Sequence, residues 1–156
     1  MKKIKAVLTA IVMLLSVSSF AHSAPVAKGP EPEKVTAAVK AAFESDFTSA
    51  SVVTWQKTDE FYFASFLLNK VPVEAAYSEA GELVGTARKI VAQQMPLSIS
   101  LALAEKYKGY QVDDTVTELT FASVTRYYVT VKNEKQAFRL KCFSDGDIQI
   151  ENKVKK

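Results

Sequence analysis

Residues 61–83 read Phe61-Tyr62-Phe63-Ala64-Ser65-Phe66-Leu67-Leu68-Asn69-Lys70-Val71-Pro72-Val73-Glu74-Ala75-Ala76-Tyr77-Ser78-Glu79-Ala80-Gly81-Glu82-Leu83. The first eight residues are dense in aromatic and aliphatic side chains on both faces of a strand. Asn69-Lys70 turns the chain. Val71, Val73, Ala75 and Tyr77 then alternate on one face of a further strand. Pro72 offers no N–H to a ladder, so this strand sits at an edge or begins there. Ser78 to Glu82 is a polar hairpin loop, and Leu83 to Lys89 reads as the next strand. Upstream, Val52-Val53-Thr54-Trp55 is strand-like and Thr58-Asp59-Glu60 makes a tight turn. The stretch therefore belongs to four strands of an antiparallel meander.

Outside the meander the period changes to that of a helix. Val35, Ala38, Val39, Ala42 and Phe43 make one apolar stripe between Glu33 and Asp46, with Glu31 and Glu33 favouring the dipole at its start. A second helix opens at Pro96, carries Leu97, Ile99, Leu101, Ala102, Ala104 and Tyr107, and stops near Gly109. Strands follow at Thr115–Phe121, Thr125–Lys132, Gln136–Phe143 and Asp147–Asn152, with turns at Asn133-Glu134 and Ser144-Asp145-Gly146. Tyr62 and Tyr127, Gly81 and Gly146, and Leu83 and Ile148 are each 65 residues apart, and Phe43 and Tyr107 are 64 apart. Such spacing reads as a duplicated unit. The expected fold class is α+β: two tandem α-β-β-β-β repeats, residues 33–91 and 95–152, with helices packed on antiparallel sheet. The repeats make either one eight-stranded sheet or two sheets side by side.

The N-terminus carries a different signal. Lys2, Lys3 and Lys5 precede an apolar run from Ala6 to Val17, and Ser19-Phe20-Ala21 gives a small-x-small cleavage site. This is the layout of a secretory signal peptide over residues 1–21, and the run is too short to span a bilayer comfortably. Cleavage after Ala21 is favoured over Ala24, which Pro25 follows. Residues 22–32, rich in proline, form a flexible leader, and 153–156 a small basic tail. The expected location is the periplasm or the exterior, with no stable membrane span after cleavage. Loss of Lys2, Lys3 and Lys5 brings the 20 basic residues of the 156-residue chain level with its 17 acidic ones. A nucleic-acid partner, which wants a sustained basic excess, loses support.

The chemistry of sites is sparse. There is 1 Cys and 1 His, so neither an internal disulfide nor a Cys/His zinc site is expected. His22 lies at the cleavage site, which removes the His-dependent triads. Asp113-Asp114 reads as solvated loop rather than a catalytic or calcium pair, and Ser144-Asp145-Gly146-Asp147 as a hairpin turn rather than a calcium loop. Cys142 falls on the face of Phe138 and Leu140, where a buried small hydrophobe is expected. No catalytic residue, metal site or cofactor is assigned.

Several of these landmarks carry a family resemblance. They are Val39-Lys40-Ala41-Ala42-Phe43, Val53-Thr54-Trp55, Phe61 to Phe66, Ala76 to Leu83, Met95-Pro96-Leu97, Tyr127-Tyr128-Val129 and Phe143 to Ile148. Over residues 33–152 the chain resembles the small exported PepSY-like proteins, related in fold to the beta-lactamase-inhibitor-protein type. The resemblance implies a non-enzymatic, protein-binding role of inhibitor or propeptide kind, with an envelope or secreted protein as partner.

The strand aromatics are then either core or an open recognition face. For an open face the expected binding residues are Trp55, Tyr62, Tyr77 and Tyr128, with Arg88 and Arg126 as charged neighbours. The alternative is a small-ligand or envelope-component binder with a pocket between helix and sheet. The exported chain is expected to begin at His22. Intact mass and N-terminal sequencing of the secreted product check this, and a start at Pro25 would place cleavage at the second site.

Overall fold

The computed structural model describes residues 35–58 and 60–154. The signal peptide, the leader with His22, the turn residue Asp59 and the last two residues of the basic tail lie outside the described residues. The described residues form two α-helices and nine strands: α1 (Ala37–Asp46), β1 (Ala50–Thr58), β2 (Phe61–Leu68), β3 (Val71–Ser78), β4 (Leu83–Val91), α2 (Leu97–Lys106), β5 (Gln111–Val112), β6 (Thr115–Phe121), β7 (Val124–Lys132), β8 (Ala137–Phe143) and β9 (Ile148–Val154). Hydrogen bonding orders the strands β1-β2-β3-β4-β6-β7-β8-β9, with β5 on β7, in an antiparallel sheet. The fold is α+β, as the periodicities imply. The chain divides into two compact units between Ala87 and Arg88.

In the first unit, α1 begins at Ala37 because Thr36, in extended conformation, accepts a hydrogen bond from Val39 N at 3.3 Å. This cap satisfies an otherwise orphaned donor. Val39 and Phe43, one turn apart, are buried against Tyr62, Ala64 and Phe66 of β2 and Val73, Ala75 and Tyr77 of β3. Phe43 is the hub: its ring lies 5.2 Å from Trp55, 5.0 Å from Phe66 and 6.3 Å from Tyr77, all edge to face. Pro72 is the second residue of β3, opposite Leu67, and β3 lies between β2 and β4. Of the two roles open to this proline, the strand start is the one adopted.

In the second unit, α2 follows a 3₁₀ turn at Ala92–Gln94. Its buried residues are Ile99 and Leu103, whereas Leu97 and Leu101 are 72% and 62% exposed. The apolar residues of this helix therefore fall on two faces, and only one meets the sheet. That face packs on Val116 of β6, Tyr127, Val129 and Val131 of β7 and Leu140 and Cys142 of β8. The short strand β5 was not legible in the sequence.

Two hairpins close in the same manner. Ser78 N donates to Glu82 O at 2.9 Å and Gly81 N to Ser78 O at 3.0 Å. Phe143 N donates to Asp147 O and Gly146 N to Phe143 O, both at 2.9 Å. Gly81 and Gly146 have φ of +85° and +94°. A Cβ on Gly81 would stand 3.0 Å from Ala38 O, and one on Gly146 3.1 Å from Ser98 O. Each loop thus presses its glycine on the second residue of its unit's helix. A side chain at either glycine meets both left-handed strain, about 1–2 kcal/mol, and a backbone clash. Gly81→Ala and Gly146→Ala should each cost more stability than Gly109→Ala, whose φ is also +85° but whose Cβ meets nothing within 4 Å. Urea unfolding midpoints of the three variants check this.

Candidate functional site

The residues expected to form a binding face do not come together as a group. Tyr62 and Tyr77 are 2% and 0% exposed and Tyr128 is 6% exposed, so these side chains lie in the interior rather than on an open surface. The reason is register. Tyr62 pairs with Tyr77, which puts both on the α1 side of their sheet. Tyr77 donates to Asp46 Oδ2 at 2.9 Å, and burial together with this acceptor holds its phenol above the usual range. Trp55 is half-buried in the same cluster, 6.3 Å from the Tyr77 ring. Lys57 lies over the Tyr62 ring at 5.0 Å.

Arg88 is exposed and forms a forked pair with Glu118, Nε to Oε1 at 3.0 Å and Nη2 to Oε2 at 3.3 Å. Glu118 pairs in register with Tyr127, a member of the cluster under α2. Arg88 is therefore on the helix side and already has its carboxylate.

Arg126 and Tyr128 are placed differently. Residues directly opposite in an antiparallel ladder share a face. Tyr128 is opposite Thr117 and Lys141, Arg126 opposite Leu119 and Phe143, and Thr130 opposite Arg139. The intervening residues Tyr127, Val129, Val131, Leu140 and Cys142 belong to the cluster under α2. Arg126, Tyr128, Arg139, Lys141 and Phe143 accordingly line the face of β7 and β8 turned away from α2. Glu151 of β9 joins them, its Oε2 2.9 Å from Arg139 Nε. That Nε–H is not aimed at the oxygen and makes no hydrogen bond, so the contact is an ion pair alone.

The aromatic rings of this face are roofed by cations. The Arg139 guanidinium lies 5.3 Å from the Tyr128 ring centre. Phe143 has Arg126 at 6.0 Å and Lys141 at 5.7 Å. Burial raises the Tyr128 phenol, and the Glu151 charge adds to this while Arg126 and Arg139 oppose it. Arg126 Nη1 is buried and has no hydrogen-bond partner among the described residues. Toward β9 the face opens: Arg139 and Lys141 are half-buried and Glu151 is exposed. What results is a face of β7 and β8 on which three half-buried cations lie against two aromatic rings, with Tyr128 and Arg126 Nη1 themselves closed to solvent. Arg139, Lys141, Phe143 and Glu151 were missed by sequence reasoning. The alternation of cations with apolar residues in Phe138-Arg139-Leu140-Lys141-Cys142 signals such a face once its pairing with β7 is known.

A separate groove of about 510 Å³ runs beside α2 within the second unit, lined by Met95, Leu103, Tyr107, Tyr110 and Val112 with Lys108 at its border. Asp113 is paired with Lys132. Among the described residues no helix is long and apolar enough to cross a membrane.

No family model matches the chain, and no curated protein matches it. Solved structures do. A BLIP-like protein from Bacteroides fragilis superposes with a TM-score of 0.64 at 20% identity, over 78% of this chain and 87% of that one. DUF2874 family proteins from Bacteroides uniformis and Bacteroides ovatus each superpose with a TM-score of 0.63, at 22% and 20% identity. The coverage is 76% and 78% of this chain and 88% and 89% of theirs. The likeness shows a BLIP-like fold.

Cys142 sits beneath this surface, on the α2 side, with none of its area exposed. Burial, aided by Asp147, pushes its thiol up from an ordinary value near 9 to about 12. The unfolded chain ionises this thiol first. The stability it contributes is therefore complete below pH 9 and is lost as pH rises toward 12. Urea unfolding at pH 7.5 and pH 10.5 should show a lower midpoint at the higher pH, and Cys142→Val should narrow that gap. In the folded chain at pH 8 the thiol should not react with Ellman's reagent.

Proposed function

We propose that the chain is an exported, non-enzymatic binding module that recognises a protein through the β7–β8 face bearing Arg126 and Tyr128. The observation that carries this reading is the gathering of three half-buried cations, Arg126, Arg139 and Lys141, against the Tyr128 and Phe143 rings on β7 and β8. Preorganisation adds to this: β7 is hydrogen-bonded on both sides, by β6 and β8. A surface held in this way loses little freedom on binding. Export is supported by the basic, apolar and small-x-small arrangement of residues 1–21. The BLIP-like fold supports a binding rather than a catalytic role only by analogy.

The two units are read, in the same proposal, as copies of one α-β-β-β-β design of PepSY-like kind. What supports this is the matching approach of Gly81 to the second residue of α1 and of Gly146 to the second residue of α2. A second functional reading, a small-ligand binder, is favoured by the groove beside Leu103 and Tyr107.

Immobilised secreted protein should retain a saturable partner from an envelope extract. Arg126→Met and Lys141→Gln should weaken that complex about tenfold or more, with unfolding midpoints at or above wild type. Full retention by both variants would remove the face as the site. A partner lost instead through Leu103→Trp, which fills the groove, would favour the second reading.

A further inference from the structure

The groove beside α2 is reached from solvent: Ala104, Lys108 and Gly109 of its lining are exposed, and Tyr107, Tyr110 and Val112 are half-buried. Its floor is the buried Leu103. The helix supplies Ser100, Ala104 and Tyr107, and further lining comes from Ala92 and Met95 ahead of α2 and from Val112 of β5. The volume, about 510 Å³, is that of a small-molecule site, typically roughly 300–1,000 Å³. The end near Gly109 is held in place. Tyr110 lies edge to face with Tyr107 at 5.6 Å, packs on Phe138 at 6.1 Å and accepts a hydrogen bond from Gln136 Nε2.

Charge is confined to that same end. Among the described residues that line the groove, Lys108 alone is charged. Lys106 stands in the last turn of the helix, so the two cations offset the negative pole of its carbonyls. Between Ser100 and Lys108 the helix contributes Leu103, Ala104 and Tyr107, an aliphatic and aromatic strip. The exposed Leu97 and Leu101 stand one turn from Ser100 and Ala104 respectively. The apolar surface therefore continues out of the groove, over the flank of α2 and toward the end remote from Lys108.

Shape narrows the choice of occupant. Eight residues of helical rise separate Ser100 from Lys108, about 12 Å. A volume of 510 Å³ over that length is a cross-section of about 40 Å². A partner helix, about 10–12 Å across with its side chains, is too wide to enter. An extended peptide would bring backbone N–H and C=O groups against the apolar strip of α2, where they would need partners. A polymethylene chain is as slender as a Met side chain and has no polar group to satisfy. Met95 is unbranched and adapts to chains of different length.

Resting on the small-ligand reading of this groove, we propose that it takes a long-chain fatty acid, whose acyl chain lies along Leu103, Ala104 and Tyr107 and whose carboxylate meets Lys108 at the rim. The tail then leaves the groove beside Ser100 and covers Leu97. The Lys108 stem packs along the chain while its ammonium stays in water with the carboxylate.

The probe is 11-(dansylamino)undecanoic acid, whose emission brightens and shifts to the blue in apolar surroundings. Titration with the secreted full chain should be saturable. Dodecanoate, below its micellar concentration, should displace the probe at least tenfold more effectively than dodecyltrimethylammonium. Lys108→Glu should remove that preference and leave displacement by dodecanol unchanged. A merely structural Lys108 would instead alter dodecanoate and dodecanol together. Ala104→Trp fills the middle of the groove from an exposed position. It should weaken the probe at least tenfold, with a melting temperature close to that of wild type.

Equal displacement by dodecanoate and dodecyltrimethylammonium, or undiminished binding by Ala104→Trp, overturns the proposal. So does sedimentation with phosphatidylglycerol vesicles without uptake of the probe, which would make the α2 flank a membrane contact. Dimerisation abolished by Leu101→Glu and unaffected by dodecanoate would make it a contact between copies, and would overturn the proposal too. A different small molecule, retained by wild type and lost from Ala104→Trp in native mass spectrometry, would overturn the fatty acid and leave the small-ligand reading standing. Failure of the probe together with the absence of any retained molecule would end both.

Discussion

The ladder between β7 and β8 sets Tyr128 opposite Lys141 and Arg126 opposite Phe143. Everything distinctive about the second unit follows from that register. With it, Tyr127, Val129, Leu140 and Cys142 all turn toward Ile99 and Leu103 of α2, and the cations turn away. A slip of β8 by one residue would drive Arg139 and Lys141 beneath the helix and turn Leu140 and Cys142 away from it. Burying those two cations among apolar side chains is prohibitive, so the register is held by what it must avoid as much as by what it gathers. The β8–β9 ladder then adds one irregularity, between Arg139 and Leu140. At this shift Glu151 lies against Arg139.

Other positions show similar tolerance of local cost. Val52, a β-branched residue, has φ of +54° at an irregularity in β1, the first strand of the sheet order. That distortion interrupts an edge that could otherwise pair with another chain. Ala122 and Ser123 turn β6 into β7 with φ of +48° and +62°, values that Asn and Gly hold more cheaply. Asn69-Lys70 makes the corresponding turn between β2 and β3 with more suitable chemistry at its first position.

Strand aromatics divide by the neighbours that register supplies. Trp55, Tyr62 and Tyr77 gather around Phe43 as core of the first unit. Tyr128 is nearly as buried as Tyr62, but its surroundings are Arg139, Arg126 and Glu151. Residue type alone does not separate these cases, since a tyrosine has an apolar body and a polar tip suited to either setting. The structure places Arg126 and Tyr128 on the face of β7 and β8 that also carries Arg139, Lys141 and Phe143.

The sequence by itself determined the elements and the side on which most of them are apolar. Period two in Phe61–Tyr77, helical spacing from Val39 to Phe43, and the loops at Gly81 and Gly146 are local properties, readable within a few residues. It also determined that Cys142 is a small core residue, because Phe138, Leu140 and Cys142 share one parity along β8. Only the tertiary structure decided which faces of the aromatic strands lie under a helix, that Leu97 and Leu101 do not meet the sheet, and that Arg88 is paired with Glu118, 30 residues away. Pairing between strands is a relation between distant residues. Strand parity says which side chains travel together, but only the partner strand says what they meet.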